Sequence, residues 1–262
     1  MAIRLKSVFQ DRRSALLLKA VVFGVFLWIA QAGEGGFAPA LFFILVSGVL
    51  YFSPSFRGGK YIGSILVLVS LALFLERNTV STAFSLLGIP FFSALAFFLF
   101  GAKELVFARA RTWALLFAFG VTYAATLALF LIESDAFIRA AFTYGIMIFL
   151  TWRDFFSSTA STRISTDTPL VGNESGEEKI VQLRGSHYFS ALVITYLGVE
   201  TAWAVRLLPL DAIGGANLTF LGLIAVLNII LRSAEQGLSK RILLMSVTVF
   251  IALLLFMLWM NL

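Results

Sequence analysis

Cysteine is absent from this sequence, and histidine occurs once, at His187. The first absence excludes disulfides, thiolate metal sites and a cysteine nucleophile, while leaving the redox compartment open. The second excludes a multi-histidine metal centre, so neither a metal nor another cofactor is expected. Charge is sparse as well: 13% of the residues are Asp, Glu, Lys or Arg, about half the share found in soluble domains. A water-soluble globule is thereby excluded. Enzyme signatures are missing too, since no G-x-S-x-G elbow occurs and no pair of carboxylates falls at helical spacing inside an apolar run.

Apolar sequence fills the space that these absences leave. Hydrophobic residues make up 60% of the 262, and the mean hydropathy is +0.96. At about 20 residues per crossing, the chain has room for roughly eight to ten membrane helices and little else. The apolar runs fall at 14–31, 37–52, 61–75, 80–101, 112–132, 136–152, 188–211, 214–231 and 242–262. The expected fold is therefore an all-α integral membrane protein, a polytopic bundle of about nine transmembrane helices. Residues 1–13 form a cytoplasmic N-terminal segment, and 14–262 a single transmembrane domain with one long polar loop at 156–185. That loop is rich in Ser, Thr, Asp, Glu and Gly and reads as a flexible linker, with a small hairpin through 169–171 and 180–183 as the rival reading. A second alternative concerns the first run. Ala30-Gln31-Ala32 has the form of a signal-peptidase site, so removal of the first span is a competing reading.

Basic residues orient the bundle. Of the 20 Lys and Arg, only Arg77, Arg139 and Arg206 fall in the turns of one side when the nine spans are threaded alternately. The other seventeen of those 20 fall on the opposite side. The positive-inside rule then places the N-terminus in the cytoplasm and the C-terminus outside. The formal charge of +6 is scattered in short clusters between spans, a pattern of orientation signals and headgroup contacts. The lipid bilayer is the expected partner, nucleic acid is not, and membrane-protein partners or a homo-oligomer remain open. A bacterial or archaeal cytoplasmic membrane is the expected location.

One carboxylate stands well inside an apolar run. Glu200 lies about 12 Å below Leu208 at 1.5 Å per residue, and ionisable groups at such depth are costly and point to function. Tyr196 and Trp203 stand one turn before and one turn after it, so the three share a helix face, expected to point into the bundle. Arg139, one turn into the preceding span from the same side, is the expected ion-pair partner. These four residues form the candidate polar centre. Around it, the outer face carries Glu34, Glu76, Arg77, Glu133, Asp135, Arg206 and Asp211, either as a cation-attracting mouth or as solvated turn residues that pair locally. Gly88 and Pro90 interrupt the fourth run and suggest a helix break like those exposing carbonyls at transporter midplanes. Three functional readings follow: a non-enzymatic transporter-like protein or embedded subunit of a membrane complex; an enzyme acting on a lipid-linked or headgroup substrate with Glu200, Glu133 or Asp135 as acid or base; and a structural scaffold.

Overall fold

A computed structural model describes residues 12–32, 36–53, 61–78, 82–104, 110–132, 136–167 and 175–236. For 12–13, 76–78, 82–86, 110–111, 158–167, 175–187 and 229–236 it describes the backbone alone. Eight helices occupy the described residues, and no strand does: α1 Arg12–Ala32, α2 Phe37–Phe52, α3 Ile62–Asn78, α4 Thr82–Lys103, α5 Ala110–Phe130, α6 Phe137–Asp167, α7 Ser175–Arg206 and α8 Ala212–Gln236. Three stretches, Ser14–Ala32, Thr112–Phe130 and Tyr188–Arg206, are long and apolar enough to cross a membrane. Shorter apolar helices lie at Phe37–Phe52, Ile62–Leu75, Leu87–Lys103 and Ala212–Asn228. The run at 242–262 lies outside the described residues.

Local chemistry sets several helix ends. Ser53 is extended at φ −82° and ψ 138°, as expected of a residue that precedes proline, here Pro54. At the other terminus type, Asp211 Oδ1 accepts from the Gly214 amide at 2.8 Å, so a side chain satisfies one of the orphan donors that open α8. Tyr61, just ahead of α3, holds a left-handed φ of 70° with its ring buried. Pro90 lies inside α4, which runs unbroken from Thr82 to Lys103. The break expected at Gly88 and Pro90 is thus a continuous helix in the structure. Proline removes the donor for the Leu86 carbonyl but fixes a helical φ, and the Ser93 hydroxyl donates to the Ile89 carbonyl at 2.8 Å to hold that turn.

Packing divides the chain into two compact units, Met1–Val121 and Thr122–Leu262. In the first, α1 packs on α2, α3 and α4 through Leu16, Ala20, Phe23, Leu27 and Ala30, all buried. Their spacing is the 3.6-residue period of a single helix face. Phe23 meets Phe43 edge to face at 5.0 Å between centroids, and Gly24 lets Ser93 of α4 approach the α1 backbone. In lipid the tails are as apolar as the side chains, so this closeness and the hydrogen bonds drive helix association.

In the second unit α6 packs on α7, and α7 on α8. Small residues set these contacts. A Cβ on Gly145 would stand 3.3 Å from a Val199 methyl, and one on Gly198 would stand 3.1 Å from a Leu223 methyl. Hydroxyls lock the interior: the Trp152 indole donates to Thr122 Oγ1 at 3.1 Å, and Thr126 Oγ1 lies 3.2 Å from the Tyr144 hydroxyl. Tyr123 donates to Asn217 Oδ1 at 3.0 Å.

The polar segment at 156–185 is helical at both ends, since α6 continues to Asp167 and α7 begins at Ser175. Residues 180–183 are in α7, which replaces the hairpin alternative. Extending a helix that a packed span has already nucleated adds one hydrogen bond per residue fixed and avoids a new nucleus. A polar composition is therefore no barrier to it.

Candidate functional site

The packed side of α7 is set by its small residues. Ala191, Ile194, Gly198, Ala202 and Val205 are buried, and Gly198 brings Leu223 of α8 and the Tyr144 hydroxyl against the α7 backbone. The opposite side is therefore left outward. Tyr196 is 60% exposed and Trp203 46%, and Glu200 between them is exposed as well. The face expected to point into the bundle points away from it. Sequence periodicity places Tyr196, Glu200 and Trp203 together as anticipated, but the closest approach of helices goes to the glycine-bearing face, which alone lets backbones come near.

Arg139 is exposed too. Its backbone carbonyl accepts from the Thr143 hydroxyl at 3.1 Å, and among the described residues no ion pair joins Arg139 to Glu200. The two stand at similar heights nonetheless. Phe137 and Trp203 rings meet at 5.8 Å, and Gly145 faces Thr195 and Val199, so the antiparallel register puts Arg139 and Glu200 within about one turn, 5.4 Å, along the helix axes. The outward surface beside Glu200 is apolar and aromatic: Phe189, Leu192 and Leu207 on α7, and Ile138, Phe142 and Ile146 on α6, are all exposed.

Two of the outer-face charges have structural work. Arg206 donates to the Phe130 carbonyl at 3.4 Å and to the Ile132 carbonyl at 3.2 Å, and its guanidinium stands 5.3 Å from the Phe137 ring. It thus covers carbonyls that the end of α5 leaves without helical donors. Asp211 is the cap of α8 described above. Glu34, Glu133 and Asp135 lie outside the described residues, as do the side chains of Glu76, Arg77 and His187. Gly88 is buried, while Pro90 lines an open groove of about 490 Å³ with Val21, Gly24, Val25, Trp28, Ile89 and Ser93. Its walls are apolar apart from the Ser93 hydroxyl, which is already engaged with Ile89.

Sequence reading missed a second polar centre. Lys19 Nζ stands 2.5 Å from Glu104 Oε1 and donates to the Ser53 carbonyl at 2.5 Å, while Lys103 donates to the Tyr51 carbonyl and stands 4.0 Å from the Tyr51 ring centroid. The two lysines cover the carbonyl end of α2. Lys19, one turn into the first apolar run, is thus received by a protein carbonyl and a carboxylate. One signal was present: Glu104 is the sole acid in a loop otherwise marked by Lys103, Arg109 and Arg111. Asp154 was likewise not anticipated. It is buried, and Arg153 Nη2 donates to it at 2.8 Å.

Comparison with protein-family models, with curated proteins and with solved structures finds no match to this chain.

Proposed function

We propose that this chain is a non-enzymatic, embedded subunit of a membrane complex, threaded about nine times through a cytoplasmic membrane with its N-terminus inside. The observation that carries this reading is the outward position of Glu200 on an apolar, aromatic helix face. A charge at the centre of a membrane helix costs about 2.5 to 3.5 kcal/mol even on insertion scales. Facing lipid, Glu200 would bear such a cost for nothing. Facing another protein, it meets a partner that supplies a donor, and the exposed Tyr196 and Trp203 are residue types enriched at protein interfaces. A transporter reading draws less support, because the helix through Pro90 is continuous and the groove beside it is apolar.

The test is photo-cross-linking in intact membranes, with a photoreactive phenylalanine analogue at Tyr196 or Trp203. Protein adducts of defined mass are expected at both positions. Adducts to lipid alone would overturn the reading, since they would show the face to be lipid-covered.

A further inference from the structure

We infer that the face around Glu200 binds a second copy of this chain, with Glu200 of each copy paired to Arg139 of the other. The inference rests on the embedded-subunit reading and goes further by naming the occupant. Three observations carry it. Glu200 and Arg139 are both exposed on the same side of the α6–α7 pair, and among the described residues neither ion-pairs with the other. Their heights agree within about one turn of helix, as the Phe137–Trp203 and Gly145–Val199 contacts fix. Finally, the surface around them is contiguous and apolar, with Leu192, Tyr196 and Trp203 on α7 and Ile138 and Phe142 on α6 exposed.

Symmetry turns these facts into a partner. Two copies inserted with the same topology can be related by a two-fold axis only if that axis runs along the membrane normal, and such a rotation keeps every residue at its own depth. An acid and a base at one depth on one face are then self-complementary, and the two-fold supplies two ion pairs, each between copies. Each copy contributes one anion and one cation, so the interface is neutral. Any other partner would need its own matched base and acid at that depth.

The chain's lack of cysteine gives a clean test, because a disulfide formed by a single introduced cysteine must join two copies. Leu192→Cys and Tyr196→Cys are introduced separately into the full chain, and native membranes are oxidised with copper phenanthroline. A disulfide-linked dimer is expected from at least one of them. Adding Arg139→Glu or Glu200→Arg alone should lower its yield at least about tenfold, because like charges then face each other. Co-expressing those two variants should restore it, since one chain then presents two acids and the other two bases. The chain carrying both substitutions should also form it. No dimer from either cysteine, as when the run at 242–262 covers this face, overturns the inference. So does failure of co-expression to restore the dimer, whether the doubly substituted chain forms it, which would place the pair within one copy, or does not. Capture of a different protein by the photoreactive residue at Tyr196, with no dimer, also overturns it but leaves the embedded-subunit reading standing.

Discussion

Lys19 and Glu104 are 85 residues apart in the chain, yet the ammonium and the carboxylate meet at 2.5 Å, with Lys19 also holding the Ser53 carbonyl. Three helices, α1, α2 and α4, are thus joined at one end of the first unit through one side chain. Both partners are mostly covered, at 14% and 21% side-chain exposure. Removing one strands the other in poorly solvated surroundings. Glu104→Gln or Lys19→Met should each destabilise the protein by about 1.5 to 3 kcal/mol, the range for hydrogen bonds to charged groups. The double variant should lose clearly less than the sum. Thermal unfolding in detergent checks this, and additive losses would show that the pair is not coupled.

The indole of Trp152, fully buried, has Thr122 as its acceptor. Thr122→Val keeps the shape and removes the oxygen, leaving an N–H without its partner, at a cost of about 1 to 3 kcal/mol. Thr122→Ser keeps the acceptor and should lose less. Equal losses from the two would assign the effect to packing rather than to the hydrogen bond.

Glycine positions separate close packing from incidental occurrence. A Cβ on Gly198 would press on Leu223 at 3.1 Å, whereas one on Gly48 meets nothing within 4 Å. Gly198→Val should therefore force α7 and α8 apart and cost about 1 to 3 kcal/mol as overpacking. Gly48→Ala should be neutral or stabilise by up to about 1 kcal/mol through helix propensity. Comparison of detergent melting temperatures decides, and a neutral Gly198→Val would refute close packing there.

These residues also show what the sequence made legible. The long apolar runs locate helix bodies such as α2 and α5 because burial in lipid demands an unbroken run of hydrophobic, internally bonded backbone. The face of α7 was misread for a physical reason. Depth of a charge says that it needs a partner, not that the partner belongs to the same chain. The small residues of α7, Gly198 and Ala202 above all, mark the side that neighbours approach, and weighing them first would have turned Glu200 outward. Lys19–Glu104 and Trp152–Thr122 were not legible, since contacts between distant spans depend on helix order within each unit, which hydropathy does not encode.

Arg206 and Asp211 were candidates for a charged outer mouth, and their contacts give them a different expected phenotype. Arg206→Met should expose the α5 carbonyls and cost about 1 to 2 kcal/mol, while Asp211→Ala should cost about 1 kcal/mol as a lost N-cap. Asp211→Asn should be close to wild type, because the amide oxygen still caps. Loss of assembly or of a cellular phenotype in Asp211→Asn without loss of stability would restore a functional role for the charge.

The same contacts bear on how the helices of each unit are threaded. Lys19 near the start of α1, Ser53 at the end of α2 and Glu104 at the end of α4 meet, so these three ends share one side of the first unit. Arg206 at the end of α7 reaches the end of α5 at Phe130 and the start of α6 at Phe137, so these three ends share one side of the second. Each relation is what strict up-and-down threading requires, and an additional or missing crossing between any of these ends would separate them. Reporter fusions after Arg13, within 159–176 and after Arg232 should therefore read as cytoplasmic, and those at Gly35, Ser134 and Leu262 as external. A reversal at Gly35 alone would mean that the first run and one of the four runs between Gly35 and Ser134 do not cross. Reversal at both Ser134 and Leu262 with the others unchanged would break the alternation, and with it the expectation that Arg139 lies in the outer half of the bilayer.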